Sequence, residues 1–190
     1  MKLVPTASQT AGPFLHLGLT DKGSVGGIVA QTAMGERVTI RIYILDGDGA
    51  PVSDAVVEVW QADAQGRYRH LDDLRPTDCD PTWRGFGRLA VDEQGCCVFE
   101  SVKPGRVPGR GNTVQAPHLS ISIFARGLLK QLVSRMYFAG DKSNLADPVL
   151  ALVPEGRRET LMAQPDNAYS GRWCFEIRLC GENETVFFAV

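Results

Sequence analysis

Histidine is scarce in this 190-residue chain: only His16, His70 and His118 are present. None stands three or four residues from another, and no Glu, Asp and His cluster has metal-ligand spacing. An excess of either charge is missing too. Twenty Lys and Arg against 22 Asp and Glu leave a net charge of −2, which gives no reason to expect nucleic acid or an anionic membrane as partner. No apolar run approaches the ~20 residues that span a bilayer. The opening stretch MKLVPTASQT has no apolar core of signal-peptide length, so a soluble, cytoplasmic protein is expected. There is no GxSxG, no P-loop and no GxGxxG opening a helix, and no internal repeat or low-complexity tract. The five cysteines (Cys79, Cys96, Cys97, Cys174, Cys180) include no CxxC. Cys96 and Cys97 would point to opposite faces of a strand, and Cys174 and Cys180 lie too far apart along one strand to bridge. Five reduced, mostly buried thiols are expected.

What the chain does have is punctuation. Twenty glycines and eleven prolines separate short runs rich in Val, Ile, Phe and Tyr, an all-β pattern. Residues 37–45 (RVTIRIYIL) alternate, with Val38, Ile40, Ile42 and Ile44 on one face. Further strands are expected at 55–61, 86–91, 96–101, 118–125, 133–138 and 173–179. Asp46-Gly47-Asp48-Gly49 reads as a turn, and Asp92-Glu93-Gln94-Gly95 as a hairpin signal. In 118–125, Leu119, Ile121 and Ile123 face one way, and His118, Ser120, Ser122 and Phe124 the other. Regular short strands with turn chemistry between them suggest an all-β, two-sheet β-sandwich core. Residues 1–35, rich in Gly, Ala and Thr, read as an extended N-terminal arm, and 36–190 as a single sandwich domain. Residues 67–85 form a long polar loop of the kind that is functional or disordered. Residues 157–162 have room for one or two helical turns.

Residues 56–70, VVEVWQADAQGRYRH, alternate into Trp60 and then deliver Tyr68 from a turn at Ala64-Gln65-Gly66. This stretch resembles the segment of the intradiol catechol dioxygenases that carries their first iron-binding tyrosine. Four more segments extend the resemblance over nearly the whole chain: Ser8–Phe14 (SQTAGPF), Ala116-Pro117-His118 followed by Phe124-Ala125-Arg126-Gly127, residues 157–161, and 181–188. Each is weak alone, but five in the right order make coincidence implausible. The resemblance implies a ferric site of two Tyr and two His, the histidines as His-x-His on one strand. The matching positions here are Tyr68, Val107, His118 and Ser120, so two of the four ligands are gone. It also places Gln115 where a catalytic chain has an arginine beside its iron.

The resemblance therefore implies a chain that keeps the scaffold without the metal. The Fe3+ would be held by a beta-type partner chain, and this chain would close a shared pocket with Thr10, Gly12 and Pro13 of the arm and with Arg126. The implied reaction is cleavage of protocatechuate by O2, with no catalytic residue and no metal ligand set in this chain. Gly permits close backbone approach and Pro stiffens the arm. Arginine offers a permanent charge and a forked donor to a carboxylate; a structural ion pair is the other reading for Arg126. Two further functions remain open: a self-sufficient dioxygenase using Tyr68, His118 and a loop residue, and a binding or structural β-sandwich without enzymatic role.

Overall fold

The computed structural model describes residues 4–12, 14–20, 25–28, 33–73, 75 and 83–189. It is mostly β. Among the described residues ten strands follow in chain order: β1 Arg37–Leu45, β2 Val56–Trp60, β3 Phe86–Ala90, β4 Cys96–Val102, β5 Val107–Pro108, β6 Val114–Gln115, β7 His118–Phe124, β8 Leu132–Phe138, β9 Met162–Pro165 and β10 Arg172–Arg178. Eight of them join in the order β3-β2-β7-β8-β9-β10-β1-β4, and β5 pairs with β6 as a separate ribbon. A short helix, α1, spans Phe14–Leu19, where the sequence suggested only extended arm.

Alternation decides which face is buried. In β1, Val38, Ile40, Ile42 and Ile44 are inside, as their period of two requires. They meet Phe99 of β4 and Phe175 and Ile177 of β10 in one core, which also takes Val57 and Val59 of β2 and Leu119, Ile121 and Ile123 of β7. Both halves of the strand order thus contribute to a single interior. Each fully buried Ile or Phe contributes about 1.5–3 kcal/mol. Phe138 and Trp173 close the joint between the halves edge to face, with ring centroids 4.9 Å apart.

Two local features differ from the sequence reading. Asp92–Gly95 is a tight turn, with Asp92 N–H donating to Cys96 O at 2.8 Å, but it makes no hairpin. β3 pairs with β2, and β4 with β1, so the turn carries the chain from one end of the strand order to the other. Turn chemistry reports a reversal and is silent about which partner each strand then finds. Strand β9 was not anticipated. It is four residues long, ends in Pro165, and pairs parallel with β8 and antiparallel with β10 through two residue pairs each; a segment so short shows no period.

The arm is not wholly detached. Val25 bridges Arg88, and Ile28 donates its N–H to Glu100 O at 3.0 Å and is fully buried. Three 3-10 turns, Lys142–Ala146, Leu150–Leu152 and Glu155–Leu161, cover the end of β8. There Leu150, Val153 and Leu161 pack with Ala116 and Tyr137 in a second, smaller core. Of the described cysteines only Cys96 and Cys97 are buried, and Cys180 is exposed. Fewer thiols are interior than expected, because Cys180 lies just beyond the end of β10. Cys79 and Pro13 lie outside the described residues.

Candidate functional site

The turn after β2 is built by Asp63. Its Oδ1 accepts from the N–H groups of Gln65 at 2.9 Å and Arg67 at 2.8 Å, and its Oδ2 pairs with Arg67 Nε at 3.2 Å. Gly66 stands there at φ +75°, and a Cβ on it would lie 1.8 Å from Arg106 O, so only glycine lets the 105–106 backbone dock on this turn. Gly105 N–H completes the junction by donating to Asp63 O at 2.9 Å. The docking brings Val107 into line with Tyr68. Together with Trp60, His70, Asp72, Asp73, Arg75 and Pro108 they line a cavity of about 660 Å³. Trp60 and Tyr68 stack with centroids 6.0 Å apart and planes within 5°. Asp73 accepts the Tyr68 N–H at 2.8 Å and forms a forked ion pair with Arg75. That pair, more than the burial opposing it, holds the Asp73 carboxyl well below the usual range. Burial raises the Tyr68 phenol, although Arg135 and Arg75 pull the other way.

The rest of the site is set by the start of β7. Asp147, 1% exposed, accepts from four donors. These are the N–H groups of Ala116 at 2.7 Å and of Val149 and Leu150 at 2.8 Å, and the Tyr137 hydroxyl at 3.2 Å. This fixes the chain just before His118. The His118 ring, 3% exposed, has Nδ1 2.7 Å from Ala116 O. A carbonyl only accepts, so Nδ1 carries the proton. Burial first, and the Arg135 charge second, push His118 down to about 4, so the ring is neutral at neutral pH. Burial likewise raises the Tyr137 phenol. Ser120 stands between Trp60 of β2 and Arg135 of β8 in the register. Arg135 Nη1 donates to Gln115 Oε1 at 2.6 Å and lies 3.4 Å from the Tyr137 hydroxyl.

A ferric ion does not fit this arrangement. Val107 offers only hydrocarbon, Ser120 a neutral hydroxyl, and both surviving positions, Tyr68 and His118, lie within the field of the Arg135 guanidinium. Among the described residues, no group of three or more His, Cys, Asp or Glu side chains could hold a metal ion.

Of the residues expected at a substrate pocket, the three that are described, Thr10, Gly12 and Arg126, do not line this cavity. Arg126 lies two residues past Phe124, the far end of β7, and that end is about 20 Å from His118 at ~3.3 Å per residue. Its side chain is 83% exposed and pairs with Asp54 at 3.2 Å. Thr10 comes to the same place: its Oγ1 accepts from Gly127 N–H at 2.6 Å. Gly12 is exposed, and its carbonyl accepts from Leu15 N–H at 3.0 Å as α1 begins. Thr10 and the Arg126 loop are thus brought together, on the surface and outside the aromatic cavity. Sequence reasoning missed Asp63, Asp147, Arg135 and Tyr137. Asp63 carried a signal, an Asp two and four residues before turn amides; the other three depend on cross-strand neighbours.

Comparison with known proteins agrees on lineage. Residues 10–181 match the family described as Dioxygenase. The chain is 38% identical to the protocatechuate 3,4-dioxygenase alpha chain of Pseudomonas putida, covering 99% of this chain and 98% of that one. It is 34% identical to the beta chain of the Burkholderia cepacia enzyme over 80% of this chain and 68% of that one. In fold it resembles the dioxygenase domain of a carbohydrate-binding fusion from Streptomyces sp. SirexAA-E, with a TM-score of 0.62, 21% identity, and 96% of this chain and 100% of that one covered.

Proposed function

The chain belongs to the intradiol ring-cleavage dioxygenase family, and from that membership we propose that it is the metal-free alpha subunit of a protocatechuate 3,4-dioxygenase. The observation that carries this reading is a full-length similarity to alpha chains in a chain whose ligand positions hold Val107 and Ser120. A beta chain is the partner that binds Fe3+ and does the redox chemistry. The complex uses O2 to break the ring bond between the two hydroxyl-bearing carbons of protocatechuate, and both oxygen atoms enter the product, 3-carboxy-cis,cis-muconate.

The part played by this chain is to shape and charge the pocket. Arg126 is the natural anchor for the substrate carboxylate, since an exposed guanidinium can meet a ligand held by another chain. Thr10, Gly12 and Pro13 bring the arm against it; the 2.6 Å bond from Gly127 to Thr10 supports that placement. Residues 1–35 act as the arm and 36–190 as the domain, the joined strands forming the two-sheet sandwich. The cytoplasm is the compartment we assign, in keeping with free thiols at all four described cysteines.

Co-expression with a beta chain tests the proposal. This chain alone should hold less than stoichiometric iron and cleave no catechol, and the pair should consume protocatechuate and O2 together. One ferric ion per isolated chain, with a visible tyrosinate band, would favour a self-sufficient enzyme instead.

A further inference from the structure

The loss of two ligands explains why iron would bind weakly. It does not explain what has become of the space and charge. Arg135 stands directly across β7–β8 from Ser120, one of the two lost ligand positions. Its guanidinium is anchored to Gln115, three residues before His118, and to the hydroxyl of Tyr137, whose ring lies 5.7 Å from that of His118. Both acceptors are neutral. No carboxylate among the described residues pairs with Arg135, and the side chain is only half exposed. A permanent positive charge is thus held beside the surviving imidazole by two hydrogen bonds from a single guanidinium nitrogen, Nη1. Arginine cannot discharge it by losing a proton.

We propose that Arg135 is a resident cation that keeps this position closed to metal ions, so that restoring the missing ligands is not enough to restore metal binding. A like charge fixed in a half-buried setting opposes an incoming trivalent ion far more than it would in water. The same guanidinium that repels a metal also donates, through Nη1, to Gln115 and Tyr137. It stands in structurally for the ion while offering no coordination site. The idea rests on the family reading for the identity of the ligand positions, and on the geometry for the part played by Arg135.

The test compares iron content in the complex with the beta chain. The wild-type complex sets the baseline, which by itself tests the subunit assignment above. Val107→Tyr with Ser120→His should add no iron over that baseline. The same pair combined with Arg135→Gln, and in parallel with Arg135→Met, should add about one ferric ion per protomer, with a stronger tyrosinate absorption. Combination with Arg135→Lys, which keeps the charge, should add none. Full iron uptake by the double variant overturns the proposal. So does the absence of extra iron in assembled Gln or Met variants, since Arg135 would then not be the deciding obstacle. Uptake by the Lys variant shows that shape and not charge closes the site, and overturns it as well. If neither neutral variant assembles, Arg135 belongs to the fold and the proposal fails.

Discussion

The two ends of β7 carry opposite kinds of chemistry. At its start, His118 and Asp147 are 3% and 1% exposed, and Asp147 already has four donors directed at it. At its far end, the Arg126 side chain is 83% exposed and meets a carboxylate that is 36% exposed. An exposed pair of this kind contributes about 0–1 kcal/mol, so Arg126 is free to exchange its partner at little cost. The first region resembles an active site in sequence and has become part of the core. The second also belongs to a segment that carries the family resemblance, Phe124-Ala125-Arg126-Gly127, and its guanidinium is open to solvent. Resemblance to catalytic ligands thus falls on the buried end of the strand, and the residues proposed to meet a substrate fall on the exposed end.

The contrast predicts a large effect at Asp147. Asp147→Ala strips a partner from the buried N–H groups of Ala116 and Leu150, the part-buried N–H of Val149 and the buried Tyr137 hydroxyl. Each buried donor left alone costs ~1–3 kcal/mol, so the fold should lose at least about 3 kcal/mol. At roughly 2–4 °C per kcal/mol for a domain of this size, the melting temperature of the αβ complex should fall by about 6–12 °C. A change below about 2 °C would mean the start of β7 is held by something other than this carboxylate.

Acid should act on the same region by a comparable amount. His118 is held at about 4, against an ordinary 6.5. Between those values the unfolded chain binds a proton that the folded chain refuses, because the ring is buried and faces Arg135. Stability therefore falls as the pH drops from 6.5 through 4, by roughly 3 kcal/mol in total at about 1.4 kcal/mol per pH unit. His118→Gln keeps a donor for Ala116 O and removes the titration. Denaturant midpoints at pH 7 and pH 4.5 should separate more for wild type than for the variant, and parallel shifts would remove His118 from the acid response.

Much of this was legible in the residues, for reasons that differ by element. Strand β1 was readable because its inward face is purely aliphatic and its period is unbroken; its bounds fall where the alternation stops. Tyr68 was readable because Ala64-Gln65-Gly66 is local turn chemistry, although the Asp63 carboxylate that ties the turn went unnoticed. The two-residue strands β5 and β6 left no periodic trace, and the pairing of β3 with β2 depends on contacts that a turn cannot encode. The site was half legible. Val107 and Ser120 announce a lost ligand set, but nothing in a lone arginine at 135 says that it faces Ser120 across a strand pair. Register is a non-local property, and the charge that now occupies the site follows from register.

At the exposed end the quantity to measure is discrimination. Arg126→Ala in the αβ complex should raise KM for protocatechuate and leave iron content unchanged. A charge-assisted contact is worth ~1.5–3 kcal/mol, about 10- to 150-fold in affinity. Catechol, which lacks the carboxylate, should lose much less. A folding defect would depress both substrates equally, so equal losses, or a complex that fails to assemble, would return Arg126 to the structural role suggested by its pair with Asp54.

The smallest effect belongs to Thr10, and it tests whether the arm positions Arg126 or merely lies near it. The Thr10 hydroxyl accepts from Gly127 N–H, the amide that follows Arg126, at 2.6 Å. The bond is exposed, so water can replace most of it, and its net worth falls near the low end of ~0.5–1.5 kcal/mol. Thr10→Val should therefore raise KM for protocatechuate only about two- to threefold, with kcat, iron content and the melting temperature of the complex unchanged. Thr10→Ser keeps the hydroxyl and should behave as wild type. Combining Thr10→Val with Arg126→Ala decides the matter. If the hydroxyl acts by holding the Arg126 loop, the double variant should be no worse than Arg126→Ala alone, because the residue being positioned is gone. Losses that simply multiply would mean Thr10 contacts the substrate on its own account, and the arm and the Arg126 loop would be two independent contributions to the pocket.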